Sequence, residues 1–154
     1  MRSGTTSLGA GVSARGAAAA RWADCRASYA CIAADTTLEL AGEITGKPVD
    51  EADAAAILRR LSGRTHGVLT GVAVAHEGRT EYVQSISEVR FRHIDDDEIR
   101  RYVLTGEPMD KAGAYGIQGR AGLFIEYVAG SYTGIMGLPV CETGELLKRF
   151  GWRF

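Results

Sequence analysis

The chain has 154 residues, enough for one domain with a substantial core, and its 18 basic and 19 acidic side chains leave a formal charge of -1. This balance provides no electrostatic footprint for a nucleic acid polymer or an anionic membrane, and no apolar run approaches the length of a membrane span. Three cysteines without a zinc-finger spacing favour a reduced, cytoplasmic setting.

The N-terminal segment consists mainly of Gly, Ala, Ser and Arg, and residues 1–23 contain no acid. Its composition resembles an organellar transit segment, although a poorly packed start is the preferred interpretation. A G-x-G-x-x-A match at 9–14 follows no predicted strand, and the Walker-like segment at 42–48 is one residue short, so neither predicts a nucleotide loop. We expect residues 1–29 to form an atypical segment that lacks stable packing, and residues 30–154 to form the domain.

The first predicted elements are a strand, a helix and a hairpin. The segment 29–40 is apolar and then β-branched, which predicts a buried strand whose end carries Asp35. Asp50 and Asp53 cap a helix that stops at Ser62. Two extended runs, 66–75 and 82–92, flank the turn residues Glu77-Gly78 and predict a β-hairpin.

The second half of the chain predicts a helix, a strand and a final helix. The acids 95–97 open a helix that offers Ile99, Tyr102, Val103 and Leu104 to the core. A strand follows at about 123–128, and a helix runs from about 139 to 150. This order predicts an α/β class, bordering on α+β, with one layered domain and a mixed sheet flanked by helices.

Three polar clusters carry the candidate chemistry: Asp35-Thr36, Lys47, and the run DKAGAYGIQG at 110–119. They supply carboxylates, two ammonium groups and an amide, an inventory that suits a phosphorylated substrate with a hydrogen-bonding head group. Glycines at 113, 116, 119 and 122 are expected to let the backbone approach a bound molecule. A capped turn for Asp35 and a solvated surface lysine for Lys47 are the alternatives, and the three histidines receive no role.

Several ordered motifs identify a family resemblance from about Ala30 to the C-terminus. They are A-D-T, G-K-P, L-S-G-R-x-H, T-G-E-P-x-D-K-A-G-A-Y-G-I-Q-G and G-S-Y-x-x-x-x-G-L-P. With them the chain resembles the Maf-like nucleoside triphosphate pyrophosphatases, in particular the subgroup that prefers dTTP and UTP. The resemblance implies hydrolysis of a nucleoside triphosphate to the monophosphate and pyrophosphate with Mg²⁺ or Mn²⁺, and a homodimer as the assembly.

The resemblance also implies the residue roles. Asp35 corresponds to the family's proton acceptor, Thr36 and Gln118 to positions that bear on base selection, and Lys47 and Lys111 to the phosphate-binding lysines. Asp35 and Asp110 are the candidate metal ligands. A glutamine amide can both donate to and accept from uracil or thymine, which is compatible with this assignment.

The N-terminal part departs from the family pattern. Relatives carry a Ser-Pro-Arg-Arg phosphate loop, whereas this sequence has no such motif and only 34 residues before Asp35. Two explanations stay open: the sequence before about Ala30 does not represent the functional protein, or a true family member has lost part of its phosphate-binding loop. In either case we expect weakened phosphate binding and an exposed strand edge. The alternative function is therefore a catalytically impaired nucleotide-binding or regulatory protein, linked to septum formation as relatives are.

Overall fold

The computed structural model describes residues 29–154, which form five strands and four α-helices. The strands are β1 (Cys31–Leu40), β2 (Glu43–Thr45), β3 (Thr65–His76), β4 (Arg79–Phe91) and β5 (Ile125–Ala129). The helices are α1 (Glu51–Leu61), α2 (Asp96–Val103), α3 (Tyr132–Ile135) and α4 (Val140–Arg149), with short 3₁₀ helices at Glu107–Asp110, Ala112–Ala114 and Arg120–Phe124. What the sequence predicts for residues 1–28 lies outside the described residues.

One sheet organises the described part of the chain, in the strand order β2-β1-β3-β4-β5. Strand β3 is central and pairs with β1 along 31–39 and with β4 along 79–90. The α/β class with flanking helices is confirmed. Every pairing among residues 29–154 is antiparallel, so the mixed character expected of the sheet is not found within that range. Strands β2 and β3 both flank β1 and run in the same direction, and the link between them contains α1, so they are not neighbours in the sheet.

The predicted hairpin is present between β3 and β4. Glu77 and Gly78 both have positive φ, at 48° and 76°, and His76 pairs directly with Arg79. A two-residue loop with both central residues left-handed matches the right-handed twist of the flanking strands. The hairpin therefore sets the register of β4 against β3 locally.

Capping acids begin the two helices that the sequence predicts before residue 104. The Asp50 side chain accepts from the backbone N–H of Asp53 at 2.8 Å, and Asp95 forms a reciprocal capping box with Glu98. The prediction that Leu104 packs in the core is wrong, because Leu104 follows the last residue of α2 and is 71% exposed.

The main core lies between α1, α2 and one face of the sheet. It includes Leu38 of β1, Leu58 of α1, Phe91 of β4 and Ile99 of α2, each at most 2% exposed. The loop that follows α2 packs against the same core through Tyr115 and Phe124. No helix within residues 29–154 is long and apolar enough to cross a membrane.

Candidate active site

One cleft of about 330 Å³ gathers the predicted site residues. It lies where β1 meets the turn after β2, the loop 110–118 and the end of α3. Every residue for which the sequence predicts a role borders this cleft: Asp35, Thr36, Lys47, Asp110, Lys111 and Gln118. The roles themselves stay predictions, but the proximity on which they depend is present.

Asp35 occupies a different position from the one predicted. It is the fifth residue of the ten-residue β1 and is exposed, so it is neither at a strand end nor buried. The strand continues through Thr36 and Thr37 because its pairing with β3 extends to Glu39. Its direct partner on β3 is Gly71, which places no side chain beside the carboxylate.

Two lysines, Lys47 and Lys111, supply positive charge at the cleft. The Lys111 ammonium donates to the Asp110 carboxylate at 2.5 Å, and its side chain is 41% exposed. This hydrogen bond is the main reason why the pKa of Asp110 lies below its usual value, with the charge of Lys47 adding to the effect. An ionised Asp110 and two ammonium groups therefore border the space.

Thr36 also borders the cleft, and its hydroxyl contacts β3. Its Oγ1 lies 2.9 Å from the Oγ1 of Thr70, its pairing partner on β3. Gly137 borders the cleft next to it, and its φ of 114° is accessible mainly to glycine. Gln118 is exposed, so its amide is available to a ligand.

Two carboxylates in one cleft, Asp35 and Asp110, provide the hard oxygen ligands that Mg²⁺ and Mn²⁺ prefer. Among residues 29–154, no group of three or more His, Cys, Asp or Glu side chains is arranged so that it could hold a metal ion by itself. Magnesium in phosphoryl-transfer sites is commonly held by one or two carboxylates together with substrate phosphates. The two carboxylates thus fit a divalent metal that takes further oxygen ligands from a phosphate group.

At two of the four glycines, Gly113 and Gly119, the missing Cβ makes room for the protein's own side chains instead of a ligand, which corrects the expectation for these two positions. A Cβ at Gly113 would overlap the Leu38 side chain, and one at Gly119 would overlap the Glu107 carboxylate. At Gly116 the nearest atom would be Cε of Lys111, at 3.3 Å. Of these three, Gly116 alone borders the cleft, so close packing of the loop explains the others.

A buried pair anchors the same loop to the sheet. His66 of β3 and Tyr115 approach at 2.7 Å between Nε2 and the phenol oxygen, and their rings pack edge-on. Burial lowers the pKa of His66 to about 4 and raises that of Tyr115. The imidazole is consequently neutral near pH 7, and the pair holds Tyr115 at the wall of the cleft.

The segment 135–137 borders the cleft, although the sequence predicts no role for it. Ile135, Met136 and Gly137 carry no titratable group that would mark them as site residues. The signal available was the G-S-Y-x-x-x-x-G-L-P motif, which spans residues 130–139 and contains all three.

Comparison with known proteins supports the family resemblance. The chain is 77% identical over 122 residues to a protein from Dechloromonas aromatica (strain RCB) named dTTP/UTP pyrophosphatase, covering 79% of this chain and 61% of that protein. Proteins with the same name from Aromatoleum aromaticum and Pasteurella multocida are 70% and 56% identical, over 80% and 78% of this chain and 60% of each relative. The chain therefore spans about 60% of the length of these relatives.

The family profile described as Maf-like protein matches residues 8–150, which is nearly the whole chain. The match includes all the cleft residues described above. The chain belongs to the Maf-like protein family.

Proposed function

We propose that the protein hydrolyses dTTP and UTP to the nucleoside monophosphate and pyrophosphate. The observation that carries the proposal is the single cleft, which brings Asp35, Lys111 and Gln118 together with the other predicted residues. The similar proteins from three bacteria are named for this activity. A cleft lined by two ammonium groups, a threonine hydroxyl and an amide suits a phosphorylated pyrimidine nucleoside.

Asp35 is proposed as the general base. Its carboxylate takes a proton from water as the water oxygen bonds to the α-phosphorus, and the bridging bond to the β-phosphate breaks to release pyrophosphate. Adjacent residues of a strand point to opposite faces, so Asp35 and Thr36 approach the cleft from the two sides of β1. This arrangement separates the proton acceptor from the group that contacts the base.

Lys47 and Lys111 are proposed to hold the phosphates as point charges. A divalent metal would be held by Asp35 and Asp110 together with phosphate oxygens, and it would supply charge stabilisation for the transferring group. Asp110 also orients the Lys111 ammonium through the ion pair between them. On the base side, Gln118 both donates and accepts, matching the carbonyl and N–H groups of uracil and thymine.

Pyrophosphate release from a panel of nucleoside triphosphates with Mg²⁺ or Mn²⁺ tests the proposal. We expect UTP and dTTP to be hydrolysed faster than ATP, GTP and CTP. Asp35→Asn should lose at least about a hundredfold in kcat with an unchanged melting temperature. Glu88→Gln is the matched control, because Glu88 is an exposed strand carboxylate on β4 outside the cleft.

The outcomes separate the two candidate functions. Near-normal hydrolysis by Asp35→Asn would rule out its role as the base. Nucleotide-induced thermal stabilisation without turnover would favour the nucleotide-binding or regulatory alternative linked to septum formation.

The cell compartment and assembly complete the proposal. We place the protein in the cytoplasm, where nucleoside triphosphates are abundant and an exposed thiol such as that of Cys141 stays reduced. We also propose a homodimer, as the family resemblance implies. Fractionation and a mass measurement in solution test these two points.

A further inference from the structure

Thr70 is a buried hydroxyl beside the cleft to which no role has been assigned. It lies on β3 directly opposite Thr36 and is 1% exposed. Its Oγ1 is 2.9 Å from the Oγ1 of Thr36 and 2.6 Å from the carbonyl oxygen of Gly134 in α3. The hydroxyl therefore connects a residue of the cleft to the protein interior.

The carbonyl of Gly134 determines which hydroxyl donates in each hydrogen bond of the series Thr36–Thr70–Gly134. The Gly134 carbonyl can only accept, so the single O–H of Thr70 donates to it. Thr70 can then only accept from Thr36, which makes Thr36 the donor of the 2.9 Å bond. With its proton turned inward, the Thr36 oxygen has only lone pairs left to offer to the cleft.

Burial keeps this orientation in place. At 1% exposure, Thr70 has no access to water as an alternative partner. The same Gly134 oxygen also accepts from the backbone N–H of Gly137 at 3.0 Å, and this backbone hydrogen bond fixes its position beside Thr70. Hydrogen bonds aligned in one direction polarise one another, which further favours the inward orientation.

We propose that Thr70 is a positioning residue for base selection, which turns the Thr36 hydroxyl into an acceptor for the ring N–H of uracil or thymine. The inference deepens the proposed function and depends on it. Uracil and thymine carry that N–H between two carbonyls, whereas cytosine has an unprotonated ring nitrogen there. An oxygen that presents only lone pairs can accept from the ring N–H of uracil or thymine, but it cannot bond to the unprotonated ring nitrogen of cytosine.

The approach to Thr36 from the cleft is open. A Cβ built on Gly137 would lie 3.8 Å from Thr36 Oγ1, so the absent side chain leaves this oxygen uncovered. Thr36 is only partly buried and borders the cleft, unlike its partner on β3. A base edge could thus reach the oxygen whose orientation Thr70 controls.

The experiment compares Thr70→Val with Thr70→Ser, using the ratio of the dissociation constants of CTP and UTP. Valine keeps the shape of threonine but frees the Thr36 hydroxyl to donate, so we expect the preference for UTP to fall about fivefold to tenfold. Serine retains the hydroxyl and should keep the ratio within about twofold of wild type. Melting temperatures and the ratio of kcat/KM for the two nucleotides are measured on the same proteins.

A general loss of packing would weaken UTP and CTP alike, so an unchanged ratio in a folded Thr70→Val protein overturns the inference. In a Thr36→Val background, Thr70→Val should leave the ratio unchanged, because the oxygen on which it acts is gone. Lack of pyrophosphate release by the wild type contradicts the proposed function only, since the binding ratio still tests Thr70. Failure of the wild type to bind either nucleotide contradicts both.

Discussion

Replacing Gly113 with alanine tests how the loop 110–119 is seated against β1. Gly113 has a φ of 73°, and an added Cβ would overlap the side chain of Leu38, which is 2% exposed. The left-handed conformation costs an L-residue about 1–2 kcal/mol, and an extra methyl in a packed core costs about 1–3 kcal/mol. We therefore expect Gly113→Ala to lower the free energy of unfolding by about 2–5 kcal/mol.

Urea denaturation and thermal melting measure this loss. In a domain of this size 1 kcal/mol corresponds to about 2–4 °C, so the melting temperature should fall by about 4–20 °C. Gly122→Ala is the matched control. The φ of Gly122 is not in the left-handed region, and the nearest atom to an added Cβ is the Ile117 carbonyl oxygen at 3.4 Å. We expect the control to change stability by less than about 1 kcal/mol.

A second background separates the two contributions. Leu38→Ala creates space beside Gly113, so Gly113→Ala in that background should retain only the conformational cost of about 1–2 kcal/mol. Equal losses for Gly113→Ala in both backgrounds would show that overlap with Leu38 is not the cause. A loss no larger than that of Gly122→Ala would refute the whole argument.

Three further changes probe the cleft and the charges around it. Lys111→Met should raise the KM for UTP about tenfold, since a charge-assisted contact is lost from a half-exposed site, whereas Lys148→Met on α4 should leave kinetics unchanged. The pKa of Glu98 is lowered to about 2, chiefly by its hydrogen bond from Arg92. Its stabilisation is therefore present above pH ~4.5 and lost as pH falls toward ~2, so denaturation curves of wild type and Glu98→Gln should converge over that interval. The pKa of His66 is lowered from 6.5 to about 4 by burial, so its neutral form supports folding above pH ~6.5 and this support declines as pH falls toward ~4. His66→Gln should show a shallower loss of stability over that range in urea titrations.

The longer elements could be predicted because each carries its own local signal. Asp50 and Asp95 cap their helices, and Glu77-Gly78 forms the expected two-residue turn. Strand β2 and helix α3 could not be predicted, because three or four residues are too few to show a periodicity. Helix α3 instead depends on tertiary contacts, such as the Ser87 hydroxyl that accepts from the backbone N–H of Ser131 at 2.9 Å.

The candidate site was predictable to the extent that its residues carry chemistry. Asp35, Lys47 and Lys111 could be identified from residue type and motif, and the structure brings them to one cleft. Met136 contributes as apolar lining and Gly137 as backbone, so composition alone gives no reason to select them. For Gly113 and Gly119 the sequence misleads, because their spacing predicts contact with a ligand, whereas they lie against side chains of the protein itself.

The least predictable feature is the register between β1 and β3, and the chemistry of the cleft depends on it. Leu38 pairs with Val68 and Thr36 with Thr70, so all four side chains lie on the core face of the sheet. A slip of one residue would place Thr36 opposite Leu69 or Gly71 and would remove its hydroxyl partner. The apolar pattern of both strands opposes such a slip, because it would turn buried side chains such as Leu38 toward the other face. The packing of the core is therefore what holds the Thr36 oxygen in its orientation at the cleft.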